Sequence, residues 1–174
     1  MKIDQELLQQ TAKAFKWIYK NLDGLSIKEK VDKHGIEGYI NRCAGLAATS
    51  GGIAGFGGGI TFAVALPADV INNIIQQFKV TLAVIYHKTG KYNVSFTEFM
   101  KIVGVSVGVE AGAGGMKLFS LKIAEQIIKR LSGATAAKLI PILGGLIGAG
   151  VGFGFIKLIG NSLVALEKHI FNNH

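Results

Sequence analysis

Proline is nearly absent from this chain of 174 residues, with only Pro67 and Pro141 present. Helices can therefore run far before meeting an obligatory break. Cysteine is reduced to Cys43 alone. That excludes an internal disulfide and agrees with a reducing compartment. Charge is missing over long stretches. From Cys43 to Ala68, CAGLAATSGGIAGFGGGITFAVALPA contains no charged residue, and Leu139 to Ile156 is likewise uncharged. Period-2 alternation is missing too, so no β element is expected. No dense Lys/Arg run with interleaved aromatics occurs, which argues against a nucleic-acid partner. The start, MKIDQELLQQ, has acidic residues and no apolar core, so no secretory leader is expected there.

The residues that carry catalysis are also badly spaced. His34, His87, His169 and His174 have no metal-ligand spacing with Cys43 or with one another, so neither metal nor cofactor is expected. Ser50, Ser106, Ser120 and Ser162 lack the G-x-S-x-G setting of a hydrolase nucleophile. GFGGGI lacks both the Lys-Ser/Thr ending and the preceding strand of a phosphate-binding loop. No catalytic residue is assigned, and the expectation is a protein that is not an enzyme.

Glycine is what the chain has in excess, 24 residues, roughly twice the usual share. Three segments place it at every fourth position: Gly51, Gly55, Gly59; Gly104, Gly108, Gly112; and Gly144, Gly148, Gly152. On an α-helix residues four apart lie nearly above one another, so each triplet would form a groove free of side chains. A second helix can approach such a groove backbone to backbone. Each interior glycine costs a helix on the order of 1 kcal/mol against alanine, so nine of them call for a packing return. Either the grooves only pack these helices together, or at least one faces lipid or repacks at a membrane.

The remaining pattern is amphipathic. Residues 4–21 place Leu7, Leu8, Phe15, Ile18 and Tyr19 at helical spacing, and Asn21-Leu22-Asp23-Gly24 ends the run. Ser26-Ile27-Lys28-Glu29 reads as a capping box opening a second helix through Tyr39 and Ile40, weakened by Gly35 and Gly38. After Pro67 and Asp69 a helix carries the stripe Val70, Ile71, Ile74, Ile75, Phe78, Leu82 and Ile85, closing at Gly90. Ser95-Phe96-Thr97-Glu98 is a second capping box, and the helix it opens is expected to run through IVGVSVGVEAGAGG. Met116 to Leu131 reads as another amphipathic helix. A last long segment spans Ala134 to Phe171, with Pro141 in its first turns.

Three of these stretches resemble the EcsC protein family: AATSGGIAGFGGG, LPADVINNIIQQFKVTLAVIYHKTGK and KLIPILGGLIGAGVGFGFIKLIG. The family pattern matches at Pro67 and Asp69, at Tyr86 to Gly90, and at Ile140, Pro141, Gly144, Gly145 and Gly148. The resemblance covers roughly residues 40–170. This chain departs in being shorter than usual and in separating Tyr86 from Gly90 by three residues. The resemblance implies a helical bacterial protein, encoded in some members beside an ABC exporter, and supplies no reaction.

Net charge is +8, with hydrophobic residues at 49% and a mean hydropathy of +0.40. Residues 91–174 hold nine positive and four negative side chains, most of the excess. A basic, very apolar chain suits an anionic membrane surface. Three acid or base positions stand out. Asp69 reads as a helix N-terminal acid, or as a polar group facing an internal pocket. Glu110 sits between Gly108 and Gly112. If that groove is buried, Glu110 needs a cation or an upward pKa shift. Lys157 is the comparable lone charge near the C-terminus. A buried Glu110–Lys157 pair is weighed against both facing solvent.

The expectation is an all-α single domain over 1–174, a compact bundle of about six helices with three glycine-zipper helices at its centre. Residues 1–42 form amphipathic N-terminal helices and 43–174 the glycine-rich core. The expected function is interaction with lipid bilayers, including insertion or pore formation, in the cytoplasm and peripheral to or inserted in the membrane. The alternative is a soluble helical carrier of a lipid-like ligand. The partners are then anionic membrane lipid or an apolar ligand, with a homo-oligomer open and no nucleic acid.

Overall fold

The computed structural model describes residues 5–49, 66–112, 114–131 and 147–172. Among them there is no strand, and seven helices pack together: α1 (Gln5–Lys20), α2 (Gly24–Ala47), α3 (Ala68–Thr89), α4 (Phe96–Ser106), α5 (Gly115–Leu131), α6 (Ile147–Ala165) and α7 (His169–Asn172).

Local chemistry explains the boundaries. α2 is capped by Asp23, whose carboxylate accepts from the Ser26 N–H at 2.9 Å. The expected Ser26–Glu29 box is therefore displaced by an Asx cap three residues upstream. A β-carbon on Gly24 would strike the Tyr92 carbonyl oxygen, so the first position of α2 favours glycine. Gly35, at φ 72°, interrupts α2 and bends it. Left-handed backbone is accessible to glycine at little steric penalty. The Ser95 box forms as expected. The Glu98 N–H donates to Ser95 Oγ at 3.2 Å, and the Ser95 N–H donates to Glu98 Oε2 at 2.8 Å. Gly90 closes α3 in the left-handed region, donating to the Tyr86 carbonyl at 2.7 Å.

α3 is the axle of the bundle. It packs against α2 and α6, which also pack on each other, while α1 lies along α5. An aromatic chain ties the two groups together. Phe78 of α3 meets Phe15 of α1 at 5.5 Å and Phe99 of α4 at 5.0 Å between centroids, and Tyr19 stacks on Phe99 at 4.8 Å. Phe15, Phe78 and Phe99 are fully buried. Each such side chain contributes on the order of 1.5–3 kcal/mol through removal from water.

The second glycine triplet does not form a groove. α4 stops at Ser106, whose hydroxyl turns back onto the Val103 carbonyl at 2.6 Å. Gly108 then adopts φ 74°. The Val107 and Val109 N–H groups both donate to the Gly104 carbonyl, and Arg130 of α5 donates to the Val107 carbonyl at 3.1 Å. The turn is thus locked by a left-handed glycine and a long-range donor. Gly112 lies outside any helix, and a β-carbon added there would meet nothing within 4 Å, whereas Gly104 packs closely on Phe119. Gly51, Gly55, Gly59 and Gly144 lie outside the described residues.

The third segment does bring backbones together, in a different register. Gly148 lies in α6. A β-carbon on Gly152 would stand 2.7 Å from the Ala47 carbonyl oxygen of α2 and 2.9 Å from Asn73 Oδ1 of α3. One on Gly160 would stand 2.8 Å from Ile40. Gly152 and Gly160, eight residues apart, are the two points where α6 approaches α2 most tightly among the described glycines. Gly160 is not part of the every-fourth-residue triplets.

Candidate functional site

The most unusual feature of the interior is a polar face on the central helix. Asn72 and Gln76 form one row on α3, and Asn73, Gln77 and Thr81 form the adjoining row, each at the four-residue spacing that stacks side chains on a helix. All five are buried, and Gln76, Gln77 and Thr81 expose nothing. The opposite face holds Ile71, Ile74, Ile75, Phe78, Leu82 and Ile85, also buried. α3 is therefore amphipathic, yet its polar side faces protein instead of water.

Part of this face is satisfied. Asn72 Nδ2 donates to the carbonyls of Leu46 and Thr49, both at 2.8 Å, and holds the end of α2 against the start of α3. Gln76 Nε2 donates to Asn72 Oδ1 at 3.1 Å. Asn73 Nδ2 donates to the Asp69 carbonyl at 2.8 Å, Gln77 Nε2 to Ser106 Oγ of α4 at 3.3 Å, and Thr81 Oγ1 to the Gln77 carbonyl at 2.9 Å. The acceptor side is left over. Asn73 Oδ1, Gln76 Oε1 and Gln77 Oε1 are buried, and no hydrogen-bond partner for them stands among the described residues. Each orphaned acceptor costs about 1–3 kcal/mol relative to its hydrated state. Three on adjoining turns of one helix is a concentrated burden.

This face lies where the C-termini of α2 and α4 meet the N-terminus of α3, with Gly152 of α6 directly beside Asn73 Oδ1. The described ends of both long uncharged runs, 43–68 and 139–156, belong to these helices.

The three charged positions singled out from sequence stand elsewhere. Asp69 is exposed in the first turn of α3, where unpaired helix N–H groups favour an acid. Glu110 is exposed, because the turn at Gly108 leaves it outside any helix. Lys157 is half-buried on α6 and donates to Asn41 Oδ1 at 2.6 Å. No Glu110–Lys157 pair occurs among the ion pairs of the described residues. The buried polar groups are neutral amides, for the reason that an amide loses far less on leaving water than a charge does. Their sequence signal was Asn72-Asn73 and Gln76-Gln77, uncharged doublets one helical turn apart.

Cys43 sits on α2 at 2% exposure, next to Tyr39. Burial pushes its thiol up to about 11, and burial likewise raises the Tyr39 hydroxyl. The thiolate is the reactive form. Against the ordinary value of 9.0, the thiolate fraction at pH 8 falls roughly 100-fold. Iodoacetamide is therefore expected to alkylate native Cys43 at least 100-fold more slowly than the urea-unfolded chain at pH 8. Raising the pH from 9 toward 11 should progressively restore the rate. Equal rates at pH 8 would contradict the buried placement.

The exposed side of α6 mixes large apolar side chains with the polar Asn161 and Ser162. Phe153 is 42% and Leu158 56% exposed. No acidic residue occurs from Ile147 to Ala165, and Lys157 is the one cation. Among the described residues no helix is long and apolar enough to cross a membrane, and no group of three or more His, Cys, Asp or Glu is arranged to hold a metal ion. Comparisons of the chain with protein-family models, curated proteins and solved structures return no match.

Proposed function

We propose that this protein is a non-enzymatic helical protein that binds anionic lipid surfaces through the outer face of α6. The observation that carries the reading is that face: Phe153 and Leu158 stand out into solvent on a helix without an acidic residue, in a chain of net charge +8. A helix of this kind lies in the headgroup region, its large side chains entering the acyl boundary while basic groups meet lipid phosphates. The EcsC resemblance belongs to the same reading and rests on the residues that carry it alone.

Flotation tests it. With vesicles of phosphatidylcholine and phosphatidylglycerol at low salt, the protein is expected in the lipid fraction. It should remain in solution with phosphatidylcholine alone, and its recovery with lipid should fall as salt screens the charges. Phe153→Ser combined with Leu158→Ser is expected to reduce binding by tenfold or more at unchanged helix content. Failure of the parent protein to float on anionic vesicles removes the proposal.

The alternative, a carrier of a lipid-like ligand, needs an enclosed apolar cavity. A surface cleft among the described residues, lined by Tyr19, Lys20, Leu82, Tyr92 and Asn93 among others, mixes polar with apolar groups. The exposed Phe153 and Leu158 are what favours membrane binding of the two. An acyl compound retained in native mass spectrometry would reverse that preference.

A further inference from the structure

Three cations gather where α2 and α3 run side by side. Hydrogen bonds at two points fix the register of that seam. Asn72 Nδ2 donates to the Leu46 and Thr49 carbonyls, and the Tyr86 hydroxyl donates to Asp32 Oδ1 at 2.7 Å. The two helices are therefore antiparallel. Lys79 stands seven residues from Asn72 and seven from Tyr86, close to two turns each way and so on the same face of α3. That register sets it opposite the middle of α2, where Tyr39, Arg42 and Cys43 lie. Lys79 is half-buried, whereas Arg42 and Lys30 are exposed. Lys30 comes from the stretch of α2 before the bend at Gly35. Both act through space on Lys79 and on the neighbouring Cys43 thiol.

The charges that reach Lys79 from α2 are thus of its own sign. Burial holds its amine below the ordinary lysine value, Lys30 and Arg42 add to that, and the Cys43 thiol opposes it. That thiol, pushed up to about 11, is uncharged near neutrality. Asp32, the acid on the same seam, is already engaged: it accepts from Lys28 Nζ and from the Tyr86 hydroxyl, both at 2.7 Å. Like charges on a partly desolvated seam repel one another, and a bound anion turns that repulsion into attraction. The donors select the anion. A guanidinium grips two oxygens of a tetrahedral oxyanion at once, and ammonium groups place point charges at the others. Three positive charges suit a group carrying close to two negatives, as a phosphate monoester does at neutral pH. A carboxylate, with one charge and two oxygens, would leave a cation unserved.

We propose that Lys30, Arg42 and Lys79 form a binding site for a terminal phosphate group on the seam of α2 and α3, whether that group is carried by a soluble phosphate or by a lipid headgroup such as that of phosphatidic acid. The site uses none of the outer face of α6, so it stands independently of the membrane-binding reading.

Equilibrium dialysis of the full chain against radiolabelled inorganic phosphate tests the site, in about 0.1 M sodium chloride to screen diffuse attraction. Saturable binding of one phosphate per chain is expected, with a Kd at or below about 1 mM. Arg42→Gln, an exposed change that leaves the core untouched, should weaken binding about tenfold through loss of a charge-assisted contact. Lys79→Met should weaken it at least as much. Lys122→Gln, on α5 and not among the charges acting on Lys79, should bind like the parent. Unchanged helix content in Arg42→Gln assigns its loss to the site. Flotation on phosphatidylcholine vesicles containing phosphatidic acid separates the two carriers. If the site takes a headgroup, Arg42→Gln floats about tenfold more weakly and inorganic phosphate competes at matched ionic strength. If it takes a soluble phosphate, the variant floats like the parent while its dialysis binding is weakened. Either result upholds the site. Absence of saturable binding to phosphate and to these vesicles, or parental binding by both Arg42→Gln and Lys79→Met, overturns it. Phosphate binding without flotation on phosphatidylglycerol vesicles upholds the site and removes the membrane-binding reading alone.

Discussion

Replacing Phe78 with alanine is expected to lower the stability of the protein by about 3–5 kcal/mol, the range for truncating a fully buried aromatic side chain. Phe78 exposes nothing and sits between the rings of Phe15 and Phe99. Two effects add. The ring returns to water on unfolding in the parent but not in the variant, and the void left behind strips Phe15 and Phe99 of dispersion contacts. Because α3 joins the α2–α6 group to α1 and α4 through this ring, relaxation to fill the space would have to move a central helix. Urea unfolding followed by far-ultraviolet circular dichroism measures the loss. A change below about 1 kcal/mol would mean that α3 is not the core of the bundle. Phe96, half-buried at the edge of the same aromatic group against Tyr19, should respond far less to the same truncation.

The second large effect separates two glycines of one helix. Gly152→Ala is expected to destabilise by about 1–3 kcal/mol, since overpacking a close contact forces backbone shifts. The obstacle is the Ala47 carbonyl of α2, at 2.7 Å from the new carbon. A backbone group in a helix cannot rotate aside as a side-chain tip can. Gly154→Ala, two residues away, meets nothing within 4 Å and faces solvent. There the ordinary helix preference for alanine should operate, raising stability by up to about 1 kcal/mol. Opposite signs in paired urea titrations are the expected outcome. Two stabilising changes would show that α6 and α2 are not in close backbone contact.

Much of the helical outline was readable along the chain. The stripe from Ile71 to Ile85, the Ser95–Glu98 box and the Gly90 stop each depend on residues within one or two turns, and all appear in the structure. Misplaced features depended on distant partners or on competing local choices. Ser26 was the cap expected for α2, but Asp23 caps it three residues earlier, and Gly24 lying under the Tyr92 carbonyl helps set the start. The glycine spacing at 104, 108 and 112 suits a continuous helix equally well. It is broken because Ser106 turns back, Gly108 flips to positive φ, and Arg130, far along the chain, donates to Val107.

The amide face shows the same division. Its doublets at 72–73 and 76–77 fall on one side of an amphipathic helix, and that pattern is identical whether the side meets water or protein. Periodicity reports which residues share a face; it carries no information about what covers that face. The amino-acid sequence alone therefore determined that the protein is helical, where most helices begin and end, and which side of α3 is apolar. Tertiary structure alone decided that Asn72, Asn73, Gln76 and Gln77 lie inside while Asp69, Glu110, Phe153 and Leu158 lie outside. Helix formation is settled by contacts within about four residues, whereas burial is settled by which other helices arrive, and those come from anywhere in the chain.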